Sequence, residues 1–153
     1  KSPSMIHAVN LGSQVSEFNF TIEEEKNAQC PLYDGKINDN LSAGIYIYEP
    51  NAAILKAGAY KLIGTRYGLM KMGNNTHLYL STEYVADFPG RVWKLRGDSA
   101  RDIQGLHASV MTRNYPMSAD QLRKKLKIKE GEQLTVIGAR LGDKPVVMLA
   151  EKC

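Results

Sequence analysis

SADQLRKKLKIKEGEQLTVIGARLGDKPVVMLAE, residues 118–151, changes its hydrophobic period part-way along. Leu122 and Leu126 sit four apart behind Ser118, a good N-cap, and mark the buried stripe of a helix. Beyond Gly131 the pattern becomes that of two strands, Leu134–Ala139 and Val146–Glu151, with Gly142-Asp143-Lys144 as their hairpin turn. Working upstream, residues 107–112 read as a strand with Ala108 and Val110 on one side. A weak helix covers residues 99–104. Residues 91–96 alternate again, with Val92 and Lys94 opposed to Trp93 and Leu95. The order from residue 91 is therefore β, weak α, β, α, β, β. That order predicts a compact α+β unit with one sheet and helices on a face.

Residues 76–80 give one more strand, and Asp87-Phe88-Pro89-Gly90 a turn. Residues 44–48 form a short strand. One or two short helices are predicted between Pro50 and Tyr67, with Pro50 in the first turn, where its missing N–H has no partner to lose. Gly68 stops the second helix. At the N-terminal end, residues 5–10 and 16–23 read as a hairpin turning at Gly12-Ser13. Phe18, Phe20 and Ile22 would share a face that needs cover. Glu23–Asn27 reads as a solvated charge run, and residues 30–43 as a loop. These boundaries divide the chain into a hairpin plus loop (1–43), a linker strand with short helices (44–75) and the compact unit (76–153).

The apolar fraction is 43% and the charged fraction 24%, ordinary for a globular protein. No apolar run reaches the length of a membrane helix, and no secretory signal is visible, so a cytoplasmic protein without a membrane partner is expected. Two cysteines, Cys30 and Cys153, make no disulfide framework. Dinucleotide, P-loop and nucleophile-elbow patterns are absent. His7, His77 and His107 are scattered, and the carboxylates of Glu23–Glu25 would splay to opposite faces. No catalytic residue and no metal ligand is expected.

Charge is distributed unevenly. Residues 1–48 hold three Lys against six Asp or Glu, residues 49–112 eight basic against five acidic, and residues 113–153 nine against five. The densest cluster is Arg113, Arg123, Lys124, Lys125, Lys127 and Lys129, opposed within that stretch by Asp120 alone. Such an array suits phosphate oxygens of a nucleic acid. It equally suits a solvated helix face with cations near the C-terminus. Tyr46, Tyr48 and Tyr60 either stack on bases or form half-buried core.

Tyr46-Ile47-Tyr48-Glu49-Pro50-Asn51 followed by Lys56-Ala57-Gly58, then His77-Leu78-Tyr79, Asp87-Phe88-Pro89-Gly90-Arg91, Arg113–Ser118 and Leu122-Arg123-Lys124-Lys125-Leu126-Lys127, resembles the bacterial class I methyltransferases that carry a C-terminal THUMP-like domain. The likeness spans residues 44–153. It extends to Lys1-Ser2-Pro3, similar to a stretch near the end of such a catalytic domain, with the hairpin as that domain's last strands. One departure is Glu130-Gly131-Glu132-Gln133, where relatives commonly carry a Gly-Gly pair. The resemblance implies a parent that uses S-adenosylmethionine and acts on RNA. It implies that this stretch, which starts at Lys1 without a Met, is a piece lacking the cofactor-binding core and binds no cofactor itself.

Its RNA contacts are expected at Arg91, Lys94, Arg113, Arg123, Lys124 and Lys127. Glu49 and Asn51, at the junction, are candidates for the rim of the parent's active site. The alternative is a structural or dimerisation domain that covers the catalytic domain without touching nucleic acid.

Overall fold

The computed structural model describes residues 4–11, 15–34, 43–97 and 100–153. The predicted turn at Gly12-Ser13, the segment Lys1-Ser2-Pro3, most of the 30–43 loop and the start of the weak helix at Ser99 lie outside the described residues. Strands β1 (Met5–Leu11) and β2 (Val15–Thr21) pair antiparallel as a two-stranded sheet of their own. Ala8, Phe18 and Phe20 on its inner face are buried under helices α2 (Ala52–Ala57) and α3 (Tyr60–Tyr67). Fully burying Phe20 alone contributes about 2–3 kcal/mol. The face in need of cover is the other one: Met5, Val9, Leu11 and Val15 stand exposed on it.

Ile22 departs from the expected alternation. It opens a helix, α1 (Ile22–Asn27), and is exposed. The cause is a capping box in which Thr21 Oγ1 accepts from Glu24 N–H while the Glu24 carboxylate accepts from Thr21 N–H. The acidic run is thus drawn into helix N-termini rather than left to solvent. Glu25 reaches across to accept from the Lys61 and Leu62 N–H groups at the start of α3, whose own N-cap, Ala59, has no side chain to offer.

The main sheet has seven strands in the order β4-β5-β3-β6-β9-β8-β7. They are β3 (Tyr46–Pro50), β4 (Met70–Gly73), β5 (Thr76–Ser81), β6 (Gly90–Leu95), β7 (Ser109–Arg113), β8 (Leu134–Leu141) and β9 (Lys144–Lys152). All neighbours pair antiparallel except β7 and β8. Helices α4 (Ala100–Ile103) and α5 (Ala119–Leu126) complete the order β6-α4-β7-α5-β8-β9, as expected from residue 91 onward. Pro50 is the last residue of β3 instead of the first turn of α2; Asn51 takes the N-cap, its side chain accepting from Ile54 N–H at 3.0 Å.

The sheet curls on itself. Gly142 N–H donates to the Met72 carbonyl at 2.8 Å, and Asn114 Nδ2 donates to Thr76 Oγ1 at 3.1 Å, so β4 and β5 close against β7 and β8. Inside the curl lies one apolar cluster drawn from every strand of the sheet, with Ile47, Leu78, Trp93, Ile137 and Ala150 at its centre. Outside it, one layer of side chains packs beneath α2, α3 and the hairpin, and another beneath α4 and α5.

Candidate nucleic-acid interface

Glu49, next to last in β3, lies on the same face as Ile45 and Ile47, so the pleat aims its carboxylate into the curl. Its register partner on β6 is Arg91, whose Nη2 donates to Oε1 at 2.5 Å. Arg113 ends β7 on the face of Met111 and is brought opposite by the curl. Its Nε donates to Glu49 Oε2 at 2.5 Å and its Nη2 to Oε1 at 3.4 Å, while Nη1 holds the Thr112 carbonyl at 2.8 Å. The Glu49 side chain is only 7% exposed, whereas Arg91 and Arg113 keep 57% and 41%. A buried carboxylate thus grips two cations that both reach water. The Arg91 guanidinium also lies over the Trp93 ring, 4.8 Å from its centroid, a cation–π contact that holds it beside the carboxylate.

This trio floors a cleft of about 840 Å³. Asn10 and Ser16 of the hairpin line it, as do Asn51, Asp87 and Pro89. Of the residues expected to touch RNA or an active-site rim, the fold therefore gathers Glu49, Asn51, Arg91 and Arg113 in one place.

The remaining cations lie elsewhere. Ser118 and Gln121 form a capping box that starts α5, and Leu122 is buried against β8. Lys124, Lys125 and Lys127 are exposed. Lys127 caps the helix in the left-handed region, φ 56°. Arg123 is turned inward: its guanidinium donates to the carbonyls of Ile128 and Ala108, both at 3.3 Å, and serves the fold. Lys94 points to the outer face of the sheet, its Nζ 5.9 Å from the Tyr46 ring centroid. Of the three tyrosines considered for stacking, Tyr48 is wholly buried with its hydroxyl donating to the Glu83 carbonyl, and Tyr60 stacks on His77 at 3.9 Å. Tyr46 leans on the half-exposed Tyr84, a partner with no pattern in the sequence to announce it.

Residues 46–89 match the family model of a ferredoxin-like domain, and residues 88–152 that of a THUMP domain-like region. The chain joins a ferredoxin-like domain to a THUMP-like domain. Glu49 belongs to the ferredoxin-like domain, Arg91 and Arg113 to the THUMP-like domain, so the floor of the cleft is an ion pair between the two. A crystal structure of a "putative methyltransferase" from Porphyromonas gingivalis W83 matches at a TM-score of 0.82 and 37% sequence identity. That match covers 97% of this chain and 38% of the Porphyromonas gingivalis chain, so this chain spans well under half of that protein. No curated protein matches. Among the described residues no helix is long and apolar enough to cross a membrane.

Proposed function

We infer that this chain is the RNA-binding and positioning part of an S-adenosylmethionine-dependent RNA methyltransferase whose cofactor and chemistry reside in a separate catalytic domain. The observation that carries the reading is the THUMP-like match over residues 88–152, since THUMP domains bind RNA and this one lies in the basic part of the chain. The likeness to the Porphyromonas gingivalis protein supports the methyltransferase connection. In this reading Lys124, Lys125 and Lys127 on α5, with Lys94, Arg91 and Arg113, meet phosphates, and the RNA backbone is held while a catalytic domain presents the methyl group. A target base in a duplex would be unstacked to reach it. The exposed apolar side chains Met5, Val9, Leu11 and Val15, which flank the hydrogen-bonded His7, Glu17 and Asn19 on the outer face of the hairpin, are the seat for that catalytic domain, because they otherwise stand in water.

The test is binding of the chain to transfer RNA and to ribosomal RNA fragments across a salt series. Log affinity should fall linearly with log salt, at a slope of roughly −0.7 to −0.9 per phosphate neutralised. Replacing Lys124, Lys125 and Lys127 together by Glu should weaken binding by about a hundredfold and flatten the slope. Arg123 is left in place because it holds backbone carbonyls. Unchanged affinity in the triple variant would sink the assignment of α5 to RNA, and no binding at low salt would sink the RNA reading itself.

A further inference from the structure

We propose that Arg91 and Arg113, held by Glu49, form a built seat for one phosphate group in the cleft between the hairpin and the ends of β3, β6 and β7. The RNA reading supplies the ligand, a backbone phosphodiester; a free phosphate is the other source of the same chemistry.

Two guanidinium groups facing one cleft repel each other and would splay into solvent if nothing stood between them. The carboxylate of Glu49 stands there. It takes one unit of charge, leaves a net +1 and fixes both groups from below. The planes are fixed a second time, Arg91 by Trp93 and Arg113 by the Thr112 carbonyl. Among the described residues Arg91 gives one of its N–H groups to Glu49 and to nothing else, which leaves four of its five donors for a ligand. Arg113 retains one hydrogen on each of its two terminal nitrogens. Forked donors at a fixed spacing with a net single positive charge are what a phosphate monoanion recognises.

The surroundings fit a ligand larger than phosphate alone. Asn10 and Ser16, register partners on the hairpin, line the same cleft with neutral donors and acceptors. Asp87 is the one other carboxylate among its lining residues, and it would repel a second phosphate. The cleft thus favours a single phosphate with its sugar over a polyphosphate. In this arrangement Glu49 is a positioning residue: it acts on the ligand through the two arginines.

The proposal separates from a plain electrostatic patch by the sign of one effect. Glu49→Gln removes a negative charge and raises the net charge of the three ion-paired side chains from +1 to +2. A loose patch would then bind phosphate more tightly, whereas a seat built on Glu49 binds it more weakly. The experiment follows the arginine Nε–H resonances of the full chain while inorganic phosphate, and separately a short RNA, is added. Expected are saturable shifts at Arg91 and Arg113 with a Kd on the order of 1–10 mM for inorganic phosphate. Arg91→Gln, which changes an exposed side chain, should weaken this by about tenfold, and Glu49→Gln should weaken it by about threefold or more in a variant whose melting shows it folded.

Tighter phosphate binding in Glu49→Gln overturns the seat, as does the absence of any saturable shift at the two arginines in the wild-type chain. If the shifts fail while RNA still binds, the seat is wrong and the RNA reading stands. If inorganic phosphate saturates the seat while RNA of every class fails to bind, the seat stands, its ligand is a free phosphate, and the RNA reading falls.

Discussion

Replacing Gly90 by Ala tests the architecture of the cleft at its tightest point. Gly90 pairs with Pro50 at the start of β6, one residue before Arg91, and its N–H donates to the Phe88 carbonyl at 2.9 Å. A Cβ at this position would overlap the Glu49 carbonyl oxygen and come to 2.8 Å from a Phe88 ring carbon and 2.9 Å from Pro50 Cα, closer than real Cβ atoms approach. Two of these three obstacles are backbone, so no rotamer change relieves them. The strands must part by roughly an ångström, at about 3 kcal/mol, the upper end of the usual cost of overpacking. For a domain of this size that lowers Tm by about 6–12 °C. The same displacement pulls Arg91 from Glu49, so RNA affinity measured at a temperature where the variant is folded should fall with it. Circular dichroism melting followed at two wavelengths is the assay. A Tm within about 2 °C of wild type would refute the reasoning, because it would mean that β3 and β6 move apart freely where the structure has them in contact.

Two further outcomes are expected. Lys127→Gly should raise stability by about 1 kcal/mol, since φ 56° disfavours a side chain, yet reduce the salt slope of RNA binding by about one phosphate contact; a loss of stability, or an unchanged slope, would contradict the role given to that residue. Burial, followed by the nearby Lys71 charge, pushes the pKa of His77 down from its ordinary value near 6.5. The unfolded chain therefore takes up this proton first. The contribution is complete above about pH 6.5 and is lost as pH falls through the lower folded value. His77→Phe keeps a ring stacked on Tyr60 and should make the urea midpoint less sensitive to a change from pH 7 to pH 5; equal sensitivity in both proteins would exclude His77 as the source.

The residues that spoke for themselves in the sequence were those whose partners are local. Ser118 with Leu122 and Leu126, and the two strands flanking Gly142, are patterns complete within a few residues, and they appear where they were expected. Thr21 and Glu24 are equally local, but the alternation of Phe18, Phe20 and Ile22 runs across their capping box and continues the pattern of a strand through it. Strand β4 went unforeseen because four residues with Lys71 in their midst carry no alternation; what makes them a strand is β5, reached through the Asn74-Asn75 turn. The site divides in the same way. Arg91 and Arg113 could be chosen as cations, and Glu49 as a junction residue, from the sequence. That the three meet could not be read, because Arg113 lies on the far edge strand and arrives through the curl of the sheet, which no local pattern encodes. Arg123 shows the reverse: its composition suggested RNA, and only the fold reveals that it holds two carbonyls.

The closed inner cluster has a bearing on how the chain is made. Ile47, Leu78 and Leu80 leave the ribosome before Ile137, Met148 and Ala150, which complete their packing and come from β8 and β9. At a synthesis rate of roughly 5–20 residues per second the first half waits on the order of ten seconds for the second. Through that interval β3, β5 and β6 present apolar side chains, and β6 an unpaired edge where β9 will lie. The nascent segment is thus most open to misassociation between the synthesis of β6 and that of β9, and shelter during that interval favours the yield of folded protein.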